Sequence, residues 1–222
     1  MDFTPHRWYL GGPGGSSFFD KGITVRKSMR SVVLSSAVAG AGLGAAGSAA
    51  GLERALDKEV IVPAPIEAVW QAWTSKSGIE SFFAPEAEID PRVGGAFHIH
   101  MDPLAERGMK GADDMRFMAL QPPKMLSFDW NAPPSLPEAR QQRTFVVVRL
   151  ADLDGKSTRV TLHHTGWGDG GEWDKTYVYF DKAWSFVLGN LKTRFETGPR
   201  DWTEWMASLK KAHEAPAASP PK

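Results

Sequence analysis

Residues 166–198 read GWGDGGEWDKTYVYFDKAWSFVLGNLKTRFETG, and this stretch decides the fold. Apolar side chains recur in it every three or four positions, which is the period of one helix face. They are Trp173, Tyr177, Phe180, Trp184, Leu188, Leu191 and Phe195. Charged side chains occupy the opposite face, which we expect to lie in water: Asp174, Lys175, Asp181, Lys182, Lys192 and Arg194. The pattern predicts one long helix whose aromatic face another element must cover.

The residues at both ends of this helix indicate where it starts and where it stops. Asp169 or Gly171 can cap its start, and Glu172 suits the positive end of the helix dipole. Gly198 followed by Pro199 ends it. We therefore expect a helix of about 40 Å at 1.5 Å per residue.

The sequence before the helix supplies the strands that can cover it. The patterns predict strands over 55–62, 86–91, 96–101, 114–120, 124–130, 144–153 and 157–167. Short helices are expected over 66–73, 76–83 and 201–214, and loops over 103–113 and 131–142. No helices alternate with the later strands, so a parallel doubly wound sheet is excluded. The prediction is an α+β fold: a curved antiparallel sheet wrapped around one long C-terminal helix, with two short helices after the first strand.

Composition excludes several classes of function. The 222 residues hold 26 Lys and Arg against 26 Asp and Glu, so nothing in the charge favours nucleic-acid binding. The absence of cysteine excludes disulfides, thiolate zinc sites and a cysteine nucleophile. No apolar run in the folded part is long enough for a membrane helix. Nine Trp and twelve Phe indicate either a well-filled core or an aromatic-lined cavity, and both interpretations stay open.

The N-terminal part resembles an export signal. Residues 26–50 read RKSMRSVVLSSAVAGAGLGAAGSAA, with a basic lead, a small apolar stretch and small residues suited to cleavage. We expect an N-terminal extension over 1–51 containing a signal peptide at 29–50, with Met29 as a natural start. The alternative is a flexible Ala/Gly linker. A folded domain is predicted over 52–200, followed by a short helix and a disordered tail over 201–222. The expected location is the periplasm or outside the cell, and otherwise the cytoplasm.

Five stretches together resemble one protein superfamily. They are VPAPIEAVWQAWTSKSGIESFFAP (62–85), VGGAFHIHM (93–101), LQPPKMLSFDW (120–130), STRVTLHHTGWG (157–168) and WSFVLGNLKTRFETG (184–198). In this order they resemble the SRPBCC (START-like, helix-grip) superfamily, in the branch named for the C-terminal domain of the activator of the heat-shock-protein-90 ATPase. The resemblance implies a helix-grip fold with a cavity between sheet and long helix that takes up apolar small molecules. An export leader departs from this branch and weakens a role with a cytosolic chaperone.

Few residues point to catalysis. No nucleophile, zincin or P-loop motif is present. His98 and His100 share one strand face, but Phe97, Ile99 and Met101 form the better core set, so we expect both imidazoles to point outward and predict no metal site. His164 shares parity with Val160 and Leu162, which predicts a buried histidine bonded to a backbone carbonyl or to Trp167. It is the one weak catalytic candidate.

The favoured hypothesis is a binding module without a cofactor that holds a small apolar molecule. The predicted lining comes from the helix stripe and the inward strand faces: Trp70, Trp73, Phe83, Phe97, Ile99, Phe128, Trp130, Trp184 and Leu188. Two alternatives remain. One is a cavity enzyme, cyclase- or hydrolase-like, that uses His164. The other is a co-chaperone or stress-response interaction domain with a protein partner, which an exposed apolar patch on the sheet without a cavity would favour.

Overall fold

The computed structural model describes residues 54–215, and they form an antiparallel β-structure around one long helix. The strands are β1 (Leu56–Val62), β2 (Glu86–Ile89), β3 (Phe97–His100), β4 (Gly111–Ala112), β5 (Phe117–Gln121), β6 (Met125–Trp130), β7 (Thr144–Asp152) and β8 (Thr158–Thr165). The helices are α1 (Ile66–Thr74), α2 (Lys76–Glu80), α3 (Pro137–Arg140), α4 (Gly171–Thr197) and α5 (Thr203–Glu214). The predicted N-terminal extension with its signal peptide, and the end of the predicted tail, lie outside the described residues.

The strands form two hydrogen-bonded groups. A five-stranded sheet has the order β1-β8-β7-β6-β5, and a small sheet has the order β2-β3-β4. All pairings are antiparallel. A bridge between Ala96 and Arg116 joins the groups, and the Phe97 N–H donates to the Met115 carbonyl at 2.8 Å beside it. The result is the curved sheet and long helix of the helix-grip fold, which confirms the predicted fold class.

Helix α4 has 27 residues, and its N-cap lies between the two positions that the sequence suggested. Its N-cap is Gly170, with φ of 68°, so the proposed caps Asp169 and Gly171 are both wrong. Glycine occupies this position because a left-handed φ strains other residues. The helix ends at Gly198, with φ of 111°, as predicted. Glu172, in the first turn of α4, also caps a second helix. Its carboxylate accepts hydrogen bonds from the N–H groups of Glu138 and Ala139, at the start of α3.

The aromatic face of α4 packs into the sheet. Phe180, Trp184, Leu188 and Leu191 are buried, while Trp173, Tyr177 and Phe195 are partly buried. The predicted wet face is exposed except at Arg194. The Arg194 side chain folds back, and its Nε donates to Ser81 Oγ at 2.6 Å, because the segment after α2 lies beside the last turns of α4. Burial lowers the pKa of this guanidinium.

Two predicted loops contain short elements that the sequence did not indicate. Strand β4 lies inside 103–113, and helix α3 lies inside 131–142. Both are too short to show a hydrophobic period. Arg140, which belongs to α3, connects the two segments: its guanidinium donates to the Gly108 carbonyl at 2.7 Å, to the Gly111 carbonyl at 2.8 Å, and to the carbonyl of Ala132. Among residues 54–215, no helix is long and apolar enough to span a bilayer.

Candidate functional site

An apolar groove lies between α4 and the small sheet. One wall consists of side chains from α4: Tyr179, Phe180, Ala183, Trp184, Phe186 and Val187. Tyr179, Ala183 and Phe186 are spaced by four and three residues, so they form a second apolar stripe beside the one that packs into the core. Lys182 adjoins the groove and is exposed to water. Helix α4 therefore has two apolar stripes: one packs into the core, and the other lines the groove.

The other walls come from five separate parts of the chain. Ile99 and Met101 extend from the inward face of β3, and Ala112 belongs to β4. Phe83 follows helix α2, and Trp205 comes from helix α5. The last wall is the run from Trp130 to Pro133, at the end of β6. Almost all of this surface is carbon, as in sites that bind apolar molecules.

The groove is small. Its volume is about 80 Å³. An engineered apolar cavity of about 150 Å³ holds benzene, and drug-sized ligands occupy roughly 300–1,000 Å³. A bound molecule must therefore be small, or it must extend out of the groove past Lys182 and Ala183.

The nine predicted lining residues divide into two sets. Phe83, Ile99, Trp130 and Trp184 lie in the groove wall. The other five do not line it and belong to the packed core: Trp70, Trp73, Phe97, Phe128 and Leu188. Three of them pack against other rings: Phe97 and Phe128 are stacked with centroids 4.1 Å apart, and Trp73 meets Phe82 edge to face with centroids 5.2 Å apart. The sequence pattern could not separate the two sets, because members of both share the buried face of one element: Phe97 and Ile99 on β3, Phe128 and Trp130 on β6, and Trp184 and Leu188 on α4.

Several groove residues were missed by the sequence analysis. Met101 shares parity with Ile99, and the stripe formed by Tyr179, Ala183 and Phe186 has helical spacing, so these four carried a detectable signal. Trp205 did not, because the sequence placed residues 201–222 outside the domain. In the structure Trp205 and Leu209 are buried, and the Trp205 indole N–H donates to the Met101 carbonyl at 2.8 Å. Helix α5 thereby adds to the groove wall.

The wall formed by residues 131–133 and β4 is held in place from behind. Arg140 donates to carbonyls on both segments, and its guanidinium lies 3.6 Å from the Asp113 carboxylate. Asp113 is buried and accepts hydrogen bonds from the N–H groups of Gly108 and Gly111, each at 3.1 Å. Charged hydrogen bonds of this kind are stronger than neutral ones. The position of this wall therefore depends on one arginine and one aspartate.

Tyr179 places a phenol at the groove. Burial raises the pKa of the Tyr179 phenol to about 12, although the nearby Arg140 acts in the opposite direction. The phenol is therefore neutral at physiological pH. Tyr179 therefore adds no charge to the groove wall.

His164 lies inside the molecule, as its parity predicts, but its ring partners differ from those expected. The Trp184 indole N–H donates to His164 Nδ1 at 2.8 Å, so the neutral ring carries its proton on Nε2. Nε2 lies 2.7 Å from Thr144 Oγ1 and donates to it. Trp167 instead donates to the His164 backbone carbonyl at 2.9 Å. The predicted bond between His164 and Trp167 therefore exists, but through the backbone of His164, while the ring bonds to Thr144 and Trp184 instead.

The environment of His164 keeps the ring uncharged. Burial, with a smaller contribution from the charge of His163, lowers the pKa of His164 from 6.5 to about 3. Both ring nitrogens are occupied by protein groups, and His164 does not line the groove. The geometry is that of a structural histidine that ties α4 to β7 and β8.

His98 and His100 lie on the face of β3 opposite Phe97 and Ile99. They are less exposed than expected, with 17% and 14% of each side chain accessible. Each pairs across the strands with a carboxylate: His98 Nδ1 lies 3.2 Å from Glu88, and His100 Nδ1 lies 2.7 Å from Glu86. Within residues 54–215, no three His, Asp or Glu side chains are arranged to hold a metal ion.

The outer face of the large sheet is polar. His163 Nδ1 lies 2.8 Å from Asp57, and Arg159 lies 3.6 Å from Glu59. The large exposed apolar side chains here, such as Phe145 and Ile61, are 43% and 48% accessible and lie on the non-adjacent strands β7 and β1. An interaction domain of the kind considered above would instead present a continuous apolar patch.

A known protein family matches most of this region. The model of the family described as activator of Hsp90 ATPase homolog 1-like protein matches residues 63–196. That span runs from the residue after β1 to the penultimate residue of α4. No protein in the curated set matches the chain.

Solved structures share the fold at low sequence identity. A Mesorhizobium loti protein solved by X-ray crystallography is 23% identical, with a TM-score of 0.53 over 64% of this chain and 97% of that chain. The solution structure of the Aha1 dimer from Colwellia psychrerythraea is 19% identical, with a TM-score of 0.52 over 65% of this chain and 98% of that chain. At these identities the likeness concerns the fold alone.

Proposed function

We propose, on the premise that this chain belongs to the family of activator of Hsp90 ATPase homolog 1-like proteins, that it binds a small apolar molecule in the groove beside helix α4. The match over residues 63–196 shows the membership. Membership by itself names no ligand, because one fold hosts many functions. The function must therefore be argued from the site.

The observation that carries the proposal is the groove itself. It is a concave, carbon-lined surface built from α4, β3, β4, the end of β6, and helix α5. Apolar surface gains about 25 cal/mol per Å² when a ligand removes it from water. A ligand that covers the partly exposed side chains of Met101, Ala183 and Phe186 would gain in this way without desolvating any charged group of the inner wall.

The test fills the groove from one wall. Ala183→Phe places a phenyl ring into the groove, whereas Ser185→Phe places the same ring two residues further along α4 on its exposed face. Indane, a small apolar probe, is titrated against each protein while tryptophan fluorescence is followed, because Trp130, Trp184 and Trp205 line the groove. We expect saturable binding to the wild type and to Ser185→Phe.

For Ala183→Phe we expect binding that is weaker by at least about tenfold, since the ring occupies the space of the probe. Thermal unfolding of both variants checks that each is folded. Equal affinity of Ala183→Phe and wild type would place the probe elsewhere and would contradict the proposal.

Neither alternative gains support from the described residues. A cavity enzyme would need a free nitrogen of His164 facing the groove, but both nitrogens are bonded inside the protein. A protein-interaction domain would need an apolar outer sheet, but ion pairs cross that face. Binding of a small molecule remains the function that the geometry favours.

We also propose, from residues 29–50 alone, that the protein is exported. N-terminal sequencing of the mature protein from its own host tests this. A start near Ala50 or Gly51 in a periplasmic or secreted fraction is the expected result. A cytoplasmic protein that keeps Met29 would contradict it and would restore weight to a chaperone-linked role.

A further inference from the structure

A second cleft lies away from the groove, between the corner that joins α1 to α2 and the end of α4. It is open to water and has a volume of about 580 Å³. No residue lines both the cleft and the groove. The groove wall is almost all carbon, whereas the cleft wall contains amide, hydroxyl and charged groups, among them Gln71, Ser77, Glu80 and Arg194. The volume is in the range of sites that bind small molecules, and the wall suits a polar one.

The Arg194 guanidinium at this cleft is held by one of its three nitrogens. Its Nε donates to Ser81 Oγ at 2.6 Å, and its central carbon lies 4.3 Å from the ring centroid of Phe195. Among residues 54–215, no acceptor bonds to the two terminal nitrogens. The side chain is partly exposed, so a molecule in the cleft can reach it. A guanidinium with two unused nitrogens is suited to bind a carboxylate.

Glu80 is arranged in a similar way at the same cleft. Its Oε1 accepts a hydrogen bond from the Ala87 N–H at 3.3 Å and lies 3.8 Å from Lys76 Nζ. Its Oε2 has no partner in the described part of the chain, and 29% of the side chain is accessible. Glu80 and Arg194 both line the cleft, but no ion pair joins them. Each charge therefore keeps atoms available for a bound molecule.

The two charges indicate which kind of molecule the cleft suits. Arg194 would attract a simple anion, but Glu80 would repel it, and a simple cation would meet the reverse. A molecule that carries both a carboxylate and an ammonium is attracted by both residues. The exposed side chains of Ser77 and Gln71 add neutral hydrogen-bonding groups to the same wall.

We propose that this cleft is a binding site for small amino acids in their zwitterionic form. The ligand carboxylate accepts hydrogen bonds from the terminal nitrogens of Arg194, and the ligand ammonium donates to Glu80 Oε2. The site is separate from the groove and does not depend on the function proposed for the groove. Contacts between exposed charges each contribute little, so we expect a dissociation constant of about 1 mM.

The first experiment uses the wild type alone. Its backbone amide signals are followed by NMR while glycine, β-alanine or 4-aminobutanoate is added, because these three differ in the separation of their charges. Each is compared with two control probes that lack one charge; for 4-aminobutanoate they are butanoate and propylamine. The ionic strength is low and equal in all samples, since salt screens such contacts. We expect saturable shifts at Ser77, Gly78 and Ser81 with at least one amino acid, and binding of its control probes that is at least about threefold weaker.

The second experiment removes each charge of the cleft in turn. Glu80→Gln keeps an acceptor for the Ala87 N–H, and Arg194→Gln keeps an amide nitrogen at the position of Nε. The matched controls, Lys192→Gln and Glu196→Gln, remove the charges of an ion pair on α4 that does not line the cleft. We expect each cleft substitution to weaken amino-acid binding about three- to fivefold and the controls to leave it unchanged. Thermal unfolding checks that all four variants are folded.

Three results would overturn the inference. In the first, no amino acid binds saturably. In the second, a probe with a single charge binds as tightly as the amino acid, which would identify a plain ion site. In the third, the cleft variants and the control variants have equal affinities, which would place the amino acid elsewhere on the surface. None of these results bears on the groove, where binding of indane is followed through the tryptophans.

Discussion

Lowering the pH should destabilise this protein through His164. The ring is buried, and its pKa falls from 6.5 to about 3 on folding. The unfolded chain therefore binds a proton at His164 below pH 6.5, whereas the folded chain stays unprotonated until near pH 3. Between these values the unfolded state holds more protons, so the free energy of unfolding falls as the pH falls.

The magnitude follows from the width of that interval. Each pH unit between the two pKa values costs about 1.4 kcal/mol. Moving from about pH 7.5 to about pH 4.5 crosses roughly two such units, so His164 should account for a loss of about 3 kcal/mol. That is a large share of the 5–15 kcal/mol that typically stabilises a folded domain.

Urea unfolding at the two pH values measures this loss. The wild type is compared with His164→Gln, whose amide can hydrogen-bond but cannot titrate, and with His163→Gln, which removes the exposed neighbour. The remaining histidines contribute equally to all three proteins and cancel in the comparison. We expect His164→Gln to lose about 3 kcal/mol less than wild type on acidification. We expect His163→Gln to lose only slightly less than wild type, because the charge of His163 is the smaller cause of the lowered pKa of His164. Equal losses in wild type and His164→Gln would refute the assignment of the buried neutral imidazole.

Three further substitutions test the supports of the fold. Arg140→Met removes the donors to three backbone carbonyls behind the groove, so it should lower the free energy of unfolding, measured by urea denaturation, by about 3 kcal/mol. As a control, Arg149→Met on the exposed side of β7 should change this free energy little. Equal effects of the two substitutions would contradict the supporting role of Arg140. Gly189→Ala should raise stability by up to about 1 kcal/mol, because this helical glycine has open space around it. Gly78→Ala should instead destabilise by about 2 kcal/mol or more, since its Cβ would lie 2.4 Å from the Gln71 carbonyl oxygen. Thermal unfolding compares both glycine variants, and a stable Gly78→Ala would show that α1 and α2 can move apart.

The long helix and the hairpins could be predicted because their signals are local. The aromatic stripe of α4 repeats within the segment itself, and the turns after β5 and β7 are closed by residues next to the strands they join. Parity likewise predicted that His164 is buried. Its ring partners could not be predicted, because Thr144 and Trp184 each lie 20 residues away along the chain. They reach the imidazole only through the β7–β8 register and the path of α4 across the sheet.

The residues of the groove were likewise only partly predictable from the sequence. Four of the nine predicted lining residues are in its wall, since an inward-facing aromatic residue can serve either the core or a groove. The choice between the two depends on where α4 crosses the sheet and where α5 packs, and both are set by contacts between distant segments. Trp205 was missed for this reason: nothing in 201–214 alone indicates what that helix covers.

The sequence by itself determined all the described elements except β4 and α3, their order, the inward faces and therefore the helix-grip fold, because hydrophobic period and turn residues act over a few positions. Only the tertiary structure decided where the groove lies and why His164 is neutral. These properties depend on distances and burial between residues far apart in the chain, and no local pattern encodes them.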